Sequence, residues 1–255
     1  MTPTLFVSHG SPMNAIEQNA YTRDLNSIGR SFKNIEAILV ISAHWETNGV
    51  YITDSEILPT YHDFRGFPKE LFAVEYPAKA ALSLIPEIEK LIGEPIKKES
   101  KRGLDHGAWS MLLHLFPEAN IPVLQLSLDT NKTVEQHFEL AQKLSPLRKK
   151  NILILMSGNI THNFSHLNFE NENAKPFDWA VQFDEAIQKA FLTDDKNLLF
   201  NLKNNKELFK INHPTDDHFL PLLYLMGLKT KEDNVTFPHM SWQYGTLSMR
   251  HILLN

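Results

Sequence analysis

Short apolar runs alternate along the chain with segments whose apolar residues recur three or four apart. Runs rich in Val, Ile and Leu indicate buried β-strands, whereas the longer period indicates helices. The predicted strands are residues 4–7, 35–42, 50–54, 121–128, 151–156 and a last strand within 235–254 that turns at Gly245. The predicted helices are residues 14–30, 77–92, a helix after LDHGAW that Pro117 ends, 134–144, pieces of 175–203 and one that begins in HPTDDHF and closes at Gly227.

This alternation predicts an α/β fold with a central, mostly parallel or mixed sheet and helices on both faces. The chain has 255 residues, which suits a single domain spanning 1–255. Residues 61–72 (YHDFRGFPKELF) contain Gly, Pro and aromatic residues, so we expect a long ordered loop there.

Composition narrows the possible functions. The chain has no cysteine, which excludes disulfides, thiolate metal sites and a cysteine nucleophile. The net charge is −5 and the basic residues are dispersed, so no stripe for nucleic acid is expected. Neither a signal peptide nor an apolar run of about 20 residues is found, which predicts a cytoplasmic protein without a membrane segment.

Histidines stand where strands are predicted to end. His9, His44 and His162 each follow an apolar run, with small residues beside them. In open α/β sheets, ligands bind beyond the carboxyl ends of the strands. A single such histidine could be a core residue bonded to a backbone carbonyl, but three at one edge favour a shared site.

A fourth candidate lies in NHPTDDHF. We expect Thr215 to cap a helix, with Asp216, Asp217 and His218 in its first turn. The two aspartates would complement the helix dipole, and the helix N-terminus would keep His218 neutral, which is the form that binds metal. His213 precedes this helix and could line the pocket or lie behind it.

A site of three or four imidazoles without thiolate suits Zn(II) or Fe(II). Zinc would activate water for hydrolysis, whereas iron with open positions could bind a chelating substrate and dioxygen. His106 follows Asp105 in LDHGAW, and that aspartate could orient an imidazole or simply cap the following helix.

Six motifs carry a resemblance that runs from His9 to the Tyr244-Gly245 tail, essentially the whole chain. They are SHGSPMNA, SAHWE, DFRGFPKELF, DHGAWSMLLHLFP, SGNITHNF and HPTDDHFLPLL. In this order they resemble the class III extradiol ring-cleavage dioxygenases, in particular the DOPA 4,5-dioxygenase branch. The resemblance implies that the chain is an iron-dependent enzyme. It would open the ring of DOPA or a related catechol with dioxygen, giving a muconic semialdehyde.

The resemblance also implies roles for individual residues. His9, His44 and His218 correspond to metal ligands, His162 to the acid–base histidine, which can also reach the metal without substrate, and His106 to a substrate contact. We further expect substrate contacts from His213, Tyr244 and Phe67; Phe64 and Phe67 could instead anchor their loop.

The chain departs from better-known members of the family, which bind Fe(II) with two histidines and a glutamate. Here His218 takes the place of the glutamate, and such an all-nitrogen site would also retain zinc, which has no redox chemistry. The alternatives are a zinc hydrolase with the same histidines and a non-catalytic binding protein on this scaffold.

Overall fold

The computed structural model describes all 255 residues. The strands are β1 Thr4–Ser8, β2 Ala37–Thr47, β3 Val50–Thr53, β4 Ile57–Leu58, β5 Ala78–Lys79, β6 Ile96–Glu99, β7 Val123–Asp129, β8 Ile152–Gly158, β9 Val235–Thr236, β10 Trp242–Gln243, β11 Leu247–Ser248 and β12 Ile252–Leu254. The helices are α1 Ala20–Ser31, α2 Lys69–Phe72, α3 Ile85–Ile92, α4 His106–Leu115, α5 Val134–Leu144, α6 Asp178–Thr193, α7 Lys196–Asn204, α8 Lys206–Asn212 and α9 Leu220–Leu228.

Eight strands form one mixed sheet in the order β6-β3-β7-β2-β8-β1-β12-β9. The four central strands, β7, β2, β8 and β1, run parallel to one another. Antiparallel pairing appears on both sides of them, between β3 and β7 and between β1 and β12. The mixed sheet predicted from the sequence is therefore confirmed, and its parallel centre brings the carboxyl ends of β1, β2 and β8 to one edge.

Hydrophobic cores lie on both faces of this sheet. Successive residues of β2 alternate between them, since Leu39 and Ile41 join one core and Ile38 and Val40 join the other. Helices α3, α5, α6 and α9 pack into the first core, while α1 and α4 pack into the second. Burial on both faces explains why the central strands are continuous apolar runs rather than alternating ones. No helix combines the length and the apolar character that crossing a membrane requires.

The helix predicted to begin in HPTDDHF starts later than expected. Helix α9 begins at Leu220 with Pro221 in its first turn, so Thr215 is not its cap and His218 lies before it. The backbone carbonyl of His218 instead accepts a hydrogen bond from Asn159 N, at 3.2 Å, just beyond β8. This bond anchors the His218 backbone to the sheet edge. Pro221 is well suited to the first turn of the helix that follows.

Other boundaries also differ from the predictions: α1 begins at Ala20 rather than at residue 14, and the short helix α2 lies within the loop expected over 61–72. Strand β2 extends to Thr47 and contains a register shift between Ile41 and Glu46, a bulge of the kind common beside active sites. The helix expected over 77–92 begins only at Ile85, because β5 pairs with β4. The tail forms four short strands, and its β10–β11 hairpin is closed by a three-residue loop of Tyr244, Gly245 and Thr246, the first two with positive φ.

Candidate active site

Three imidazoles converge beyond the sheet edge. His9 follows β1, His44 lies in the bulge of β2, and His218 precedes α9; one nitrogen from each lies within 4.8 Å of the others. The Nε2 atoms of His9 and His44 are 3.0 Å apart. This separation is short enough for both nitrogens to bind one divalent ion at the usual distance of ~2.0–2.1 Å. The separation therefore suits two neighbouring ligands of one ion.

The Nδ1 hydrogen bonds of His9 and His218 leave the Nε2 atoms of these two rings available for metal. Ser157 Oγ donates to the Gly107 carbonyl at 2.6 Å, so it can only accept from His9 Nδ1, at 2.8 Å. His218 Nδ1 donates to Asp217 Oδ2 at 2.5 Å. His218 Nε2 is buried and has no hydrogen-bond partner. An orphaned, unprotonated nitrogen directed at two others is what a metal ligand requires, and the site fits a divalent ion.

Burial determines the charge state of the three rings. It lowers the pKa of His9, His44 and His218 well below the ordinary value, and neighbouring imidazoles lower each further. At neutral pH all three rings are therefore uncharged and able to coordinate a cation.

The ring positions depend on the close approach of α4. A Cβ on Gly107 would lie 2.7 Å from Ser42 Oγ and 2.9 Å from His44 Cδ2. Only glycine leaves room for His44 between the helix and the sheet at this point. The DHG motif thus has a packing reason in addition to its histidine.

His162 lies beside the three-nitrogen group and is not part of it. Its ring stacks on that of His218, with centroids 3.5 Å apart and planes 8° from parallel. Its backbone N donates to Asn212 O at 2.9 Å, which holds the loop after β8. Burial lowers the pKa of His162 to about 4, so its ring is a neutral proton acceptor at physiological pH.

His106 also borders the cluster, with its ring centroid 3.9 Å from that of His44. Its Nδ1 bonds to Asp63 Oδ1 at 2.8 Å, and its backbone N donates to the same oxygen at 2.9 Å. Asp105 caps α4 through Ala108 N, at 3.1 Å, and does not contact the imidazole. Of the two interpretations of Asp105, capping is the one found, and Asp63 orients the ring instead.

The remaining candidate residues are Phe64, Phe67, Tyr244 and His213. Phe64 stands edge-on to His106 at 5.6 Å between centroids, and Phe67 packs on Phe64 at 5.2 Å. Tyr244 occupies the turn of the β10–β11 hairpin. His213 packs among Phe183, Phe209 and Phe219, and its Nε2 donates to Ile160 O at 2.8 Å.

Sequence reasoning missed three residues that orient the site. Ser157 holds His9, Asp63 holds His106, and Asp217, which was interpreted as a helix-dipole residue, holds His218. Asp63 and Ser157 are 43 and 148 positions from their partners, so no local pattern links them. Asp217 is next to His218 in the sequence, so this contact could have been predicted. It was missed because Asp217 was interpreted as part of a helix that does not form there.

Comparison with known proteins agrees with this geometry. The family model "Catalytic LigB subunit of aromatic ring-opening dioxygenase" matches residues 3–252. A "4,5-DOPA dioxygenase extradiol" of Escherichia coli (strain K12) is 38% identical, over 97% of this chain and 92% of its own length. A protein of the same name from Beta vulgaris is 34% identical, over 96% of this chain and 93% of its own length.

The fold is also similar to a solved structure. A crystal structure of an uncharacterized protein from Escherichia coli K12 superposes with a TM-score of 0.87 at 32% identity, and covers 100% of both chains. The histidine cluster, the sheet edge that carries it and the family match over nearly the whole length agree with one another. The chain therefore belongs to the LigB family of aromatic ring-opening dioxygenases.

Proposed function

We propose that this chain is a metal-dependent extradiol dioxygenase that opens the ring of DOPA or a related catechol with dioxygen, forming a muconic semialdehyde. The observation that carries the proposal is the convergence of His9, His44 and His218, with neutral His162 stacked against them. The names of the relatives from Escherichia coli and Beta vulgaris support the substrate class. We assign the activity to one catalytic domain over residues 1–255.

We propose Fe(II) as the catalytic ion, held by Nε2 of His9, His44 and His218, with Zn(II) as an ion that the same nitrogens would retain. When bound, iron supplies coordination positions for both catechol oxygens and passes electron density to dioxygen. The three rings contribute by being neutral and fixed in place, so that substrate and oxygen are oriented without loss of freedom at the moment of reaction.

His162 is the proposed acid–base residue. Its low pKa makes it an available acceptor for a catechol hydroxyl proton, which it can return when the ring opens. Stacking on His218 and the backbone bond to Asn212 hold it against the cluster. Because its ring lies face to face with His218, we consider a fourth metal bond from His162 secondary to this role.

The remaining residues shape the pocket in this proposal. Asp63 holds His106 Nδ1, which leaves Nε2 free to contact substrate. Phe64 and Phe67 form an apolar wall next to His106, and Tyr244 contributes from the hairpin. His213 supports the loop after β8 from behind, through Ile160 O.

We further propose that the enzyme works in the cytoplasm on small molecules, without nucleic-acid or membrane partners. The dispersed charges and the absence of an apolar spanning helix support this proposal.

The test is anaerobic reconstitution with Fe(II) or Zn(II), followed by addition of oxygen and a panel of catechols. We expect oxygen uptake and a yellow semialdehyde with iron, and neither with zinc. His9→Ala, His44→Ala and His218→Ala should each deplete bound metal, whereas His166→Ala, at an exposed histidine, should not. Intradiol products only, or no turnover with iron, would refute the assignment; hydrolysis by the zinc form would favour the alternative chemistry.

A further inference from the structure

A carboxylate, an imidazole and a hydroxyl group meet outside the metal site, where α1 contacts the C-terminal tail. Asp24 belongs to α1, and His239 and Ser241 lie between β9 and β10. Asp24 Oδ2 is 2.7 Å from His239 Nδ1, and Ser241 Oγ is 2.7 Å from His239 Nε2. The three side chains therefore form one continuous row of hydrogen bonds.

The partners of His239 determine the tautomer of its uncharged ring. An ionised carboxylate can only accept hydrogen bonds, so Asp24 requires the ring proton to be on Nδ1. Nε2 then carries a lone pair, and the Ser241 hydroxyl donates to it. A carboxylate, an imidazole and a hydroxyl in this order form the arrangement that activates a serine as a nucleophile.

The imidazole of this row is held in place by its neighbours. His239 is 5% exposed, and its ring stands edge-on to that of Tyr21, with centroids 5.5 Å apart. The His251 ring lies 5.2 Å away, and its backbone N donates to the His239 carbonyl at 3.1 Å. A base that is already fixed beside its hydroxyl loses little freedom when the proton is transferred.

The hydroxyl end of the row is open to solvent. Ser241 is partly exposed, and the side chain of the preceding Met240 is exposed as well. An apolar acyl group could therefore reach Ser241 and contact Met240. Asp24 is 44% exposed, so water partly screens its charge. Activation by such a carboxylate is weaker than by a buried one, which favours substrates with a good leaving group.

We propose that Asp24, His239 and Ser241 form a second reactive site, at which Ser241 accepts an acyl group from an aryl ester or a thioester. Ser241 Oγ bonds to the carbonyl carbon, and its proton passes to His239 Nε2. The bond to the leaving oxygen or sulfur then breaks, and the leaving group takes this proton. Water attacks the acyl-serine in the same way, so one ester and one water give one carboxylic acid and one phenol or thiol, without oxidation or reduction.

This second site uses none of the metal ligands. Its connection to the metal site is through Tyr21, whose hydroxyl donates to the carbonyl of His9 at 3.3 Å and whose ring contacts His239. Since no side chain of the row bonds to a metal ligand, acyl transfer and ring cleavage can be tested independently.

The test uses the zinc-loaded chain with a fluorophosphonate probe and with 4-nitrophenyl acetate. We expect labelling of Ser241, located by mass spectrometry of its peptide, and release of 4-nitrophenol. Ser241→Ala should abolish both. His239→Ala should slow both by roughly 10²–10⁴-fold, because it removes the base. Asp24→Asn should cause a smaller loss, because the base remains.

Ser27→Ala is the matched control, since Ser27 is an exposed serine of α1 whose hydroxyl donates to the Arg23 carbonyl and not to a histidine. It should label and hydrolyse like the unmodified chain. Circular dichroism checks that each variant is folded. His44→Ala, which should lose the metal, should still be labelled at Ser241.

Two results would overturn the second site. An unlabelled Ser241 in the unmodified chain, or unchanged labelling in folded His239→Ala, would show that the row only anchors the tail to α1. Ester hydrolysis that survives in Ser241→Ala but disappears in His44→Ala would assign the reaction to zinc at the metal site instead.

Discussion

Removal of the Asp217 carboxylate should weaken metal binding, because this carboxylate holds the ring of His218 in position. Asp217 Oδ2 accepts from His218 Nδ1 at 2.5 Å, and the His218 ring is only 3% exposed. Without this acceptor the ring can rotate or change tautomer, and its Nδ1–H is left buried and unpaired. Loss of such a partner typically weakens metal binding by 10–100-fold, which is about 1.4–2.8 kcal/mol.

Two substitutions separate charge from hydrogen bonding. Asp217→Ala removes both, so we expect the upper end of that range, near 100-fold. Asp217→Asn keeps a neutral oxygen that can accept from Nδ1, so we expect roughly tenfold. The dissociation constant for Zn(II) is measured by competition with a chromophoric chelator, which does not depend on turnover.

The neighbouring residue offers the control. Asp216 is about half exposed and pairs with Lys203 rather than with a histidine. Asp216→Asn should therefore bind zinc like the unmodified chain. If Asp217→Ala also binds zinc normally while its circular dichroism is unchanged, Asp217 does not position His218 and the proposed ligand geometry is wrong.

Three further predictions concern other parts of the molecule. His162→Ala should retain its metal but lose turnover by roughly 10²–10⁴-fold, since it removes the proton acceptor; near-normal turnover would exclude that role. Gly107→Ala should fold but bind metal weakly, because the new Cβ would lie 2.9 Å from His44 Cδ2; unchanged zinc affinity would contradict this packing argument. Asp233→Ala should lower the free energy of unfolding by about 3–5 kcal/mol in urea titrations, because it leaves the fully buried Arg148 charge unpaired; a loss below 1 kcal/mol would show that other groups compensate.

Much of the architecture follows from local patterns. The apolar runs that became β1, β2, β7 and β8 are recognisable because strands buried on both faces must be hydrophobic throughout. Once those strands are parallel, His9, His44 and His162 necessarily come near one edge, whatever the details of the loops. The location of the candidate site could therefore be predicted from the sequence.

The start of α9, by contrast, could not be predicted from the sequence. HPTDDHF carries good capping residues, and local propensity favours a helix beginning at Thr215. The tertiary bond from Asn159 N to His218 O holds this segment at the sheet edge instead, and α9 begins two residues after His218. Asp217 therefore accepts a hydrogen bond from the His218 ring and does not complement a helix dipole.

The sequence by itself determined which apolar runs form the buried central strands, that histidines lie near the carboxyl ends of these strands, and that no cysteine thiolate can bind a metal. Only the tertiary structure decided the partners that orient those histidines, such as Ser157 for His9 and Asp63 for His106. The physical reason is the sequence separation of the residues that interact. Hydrophobic periodicity is written in neighbouring residues, whereas a hydrogen bond between side chains far apart in sequence exists only after packing has brought them within 3 Å.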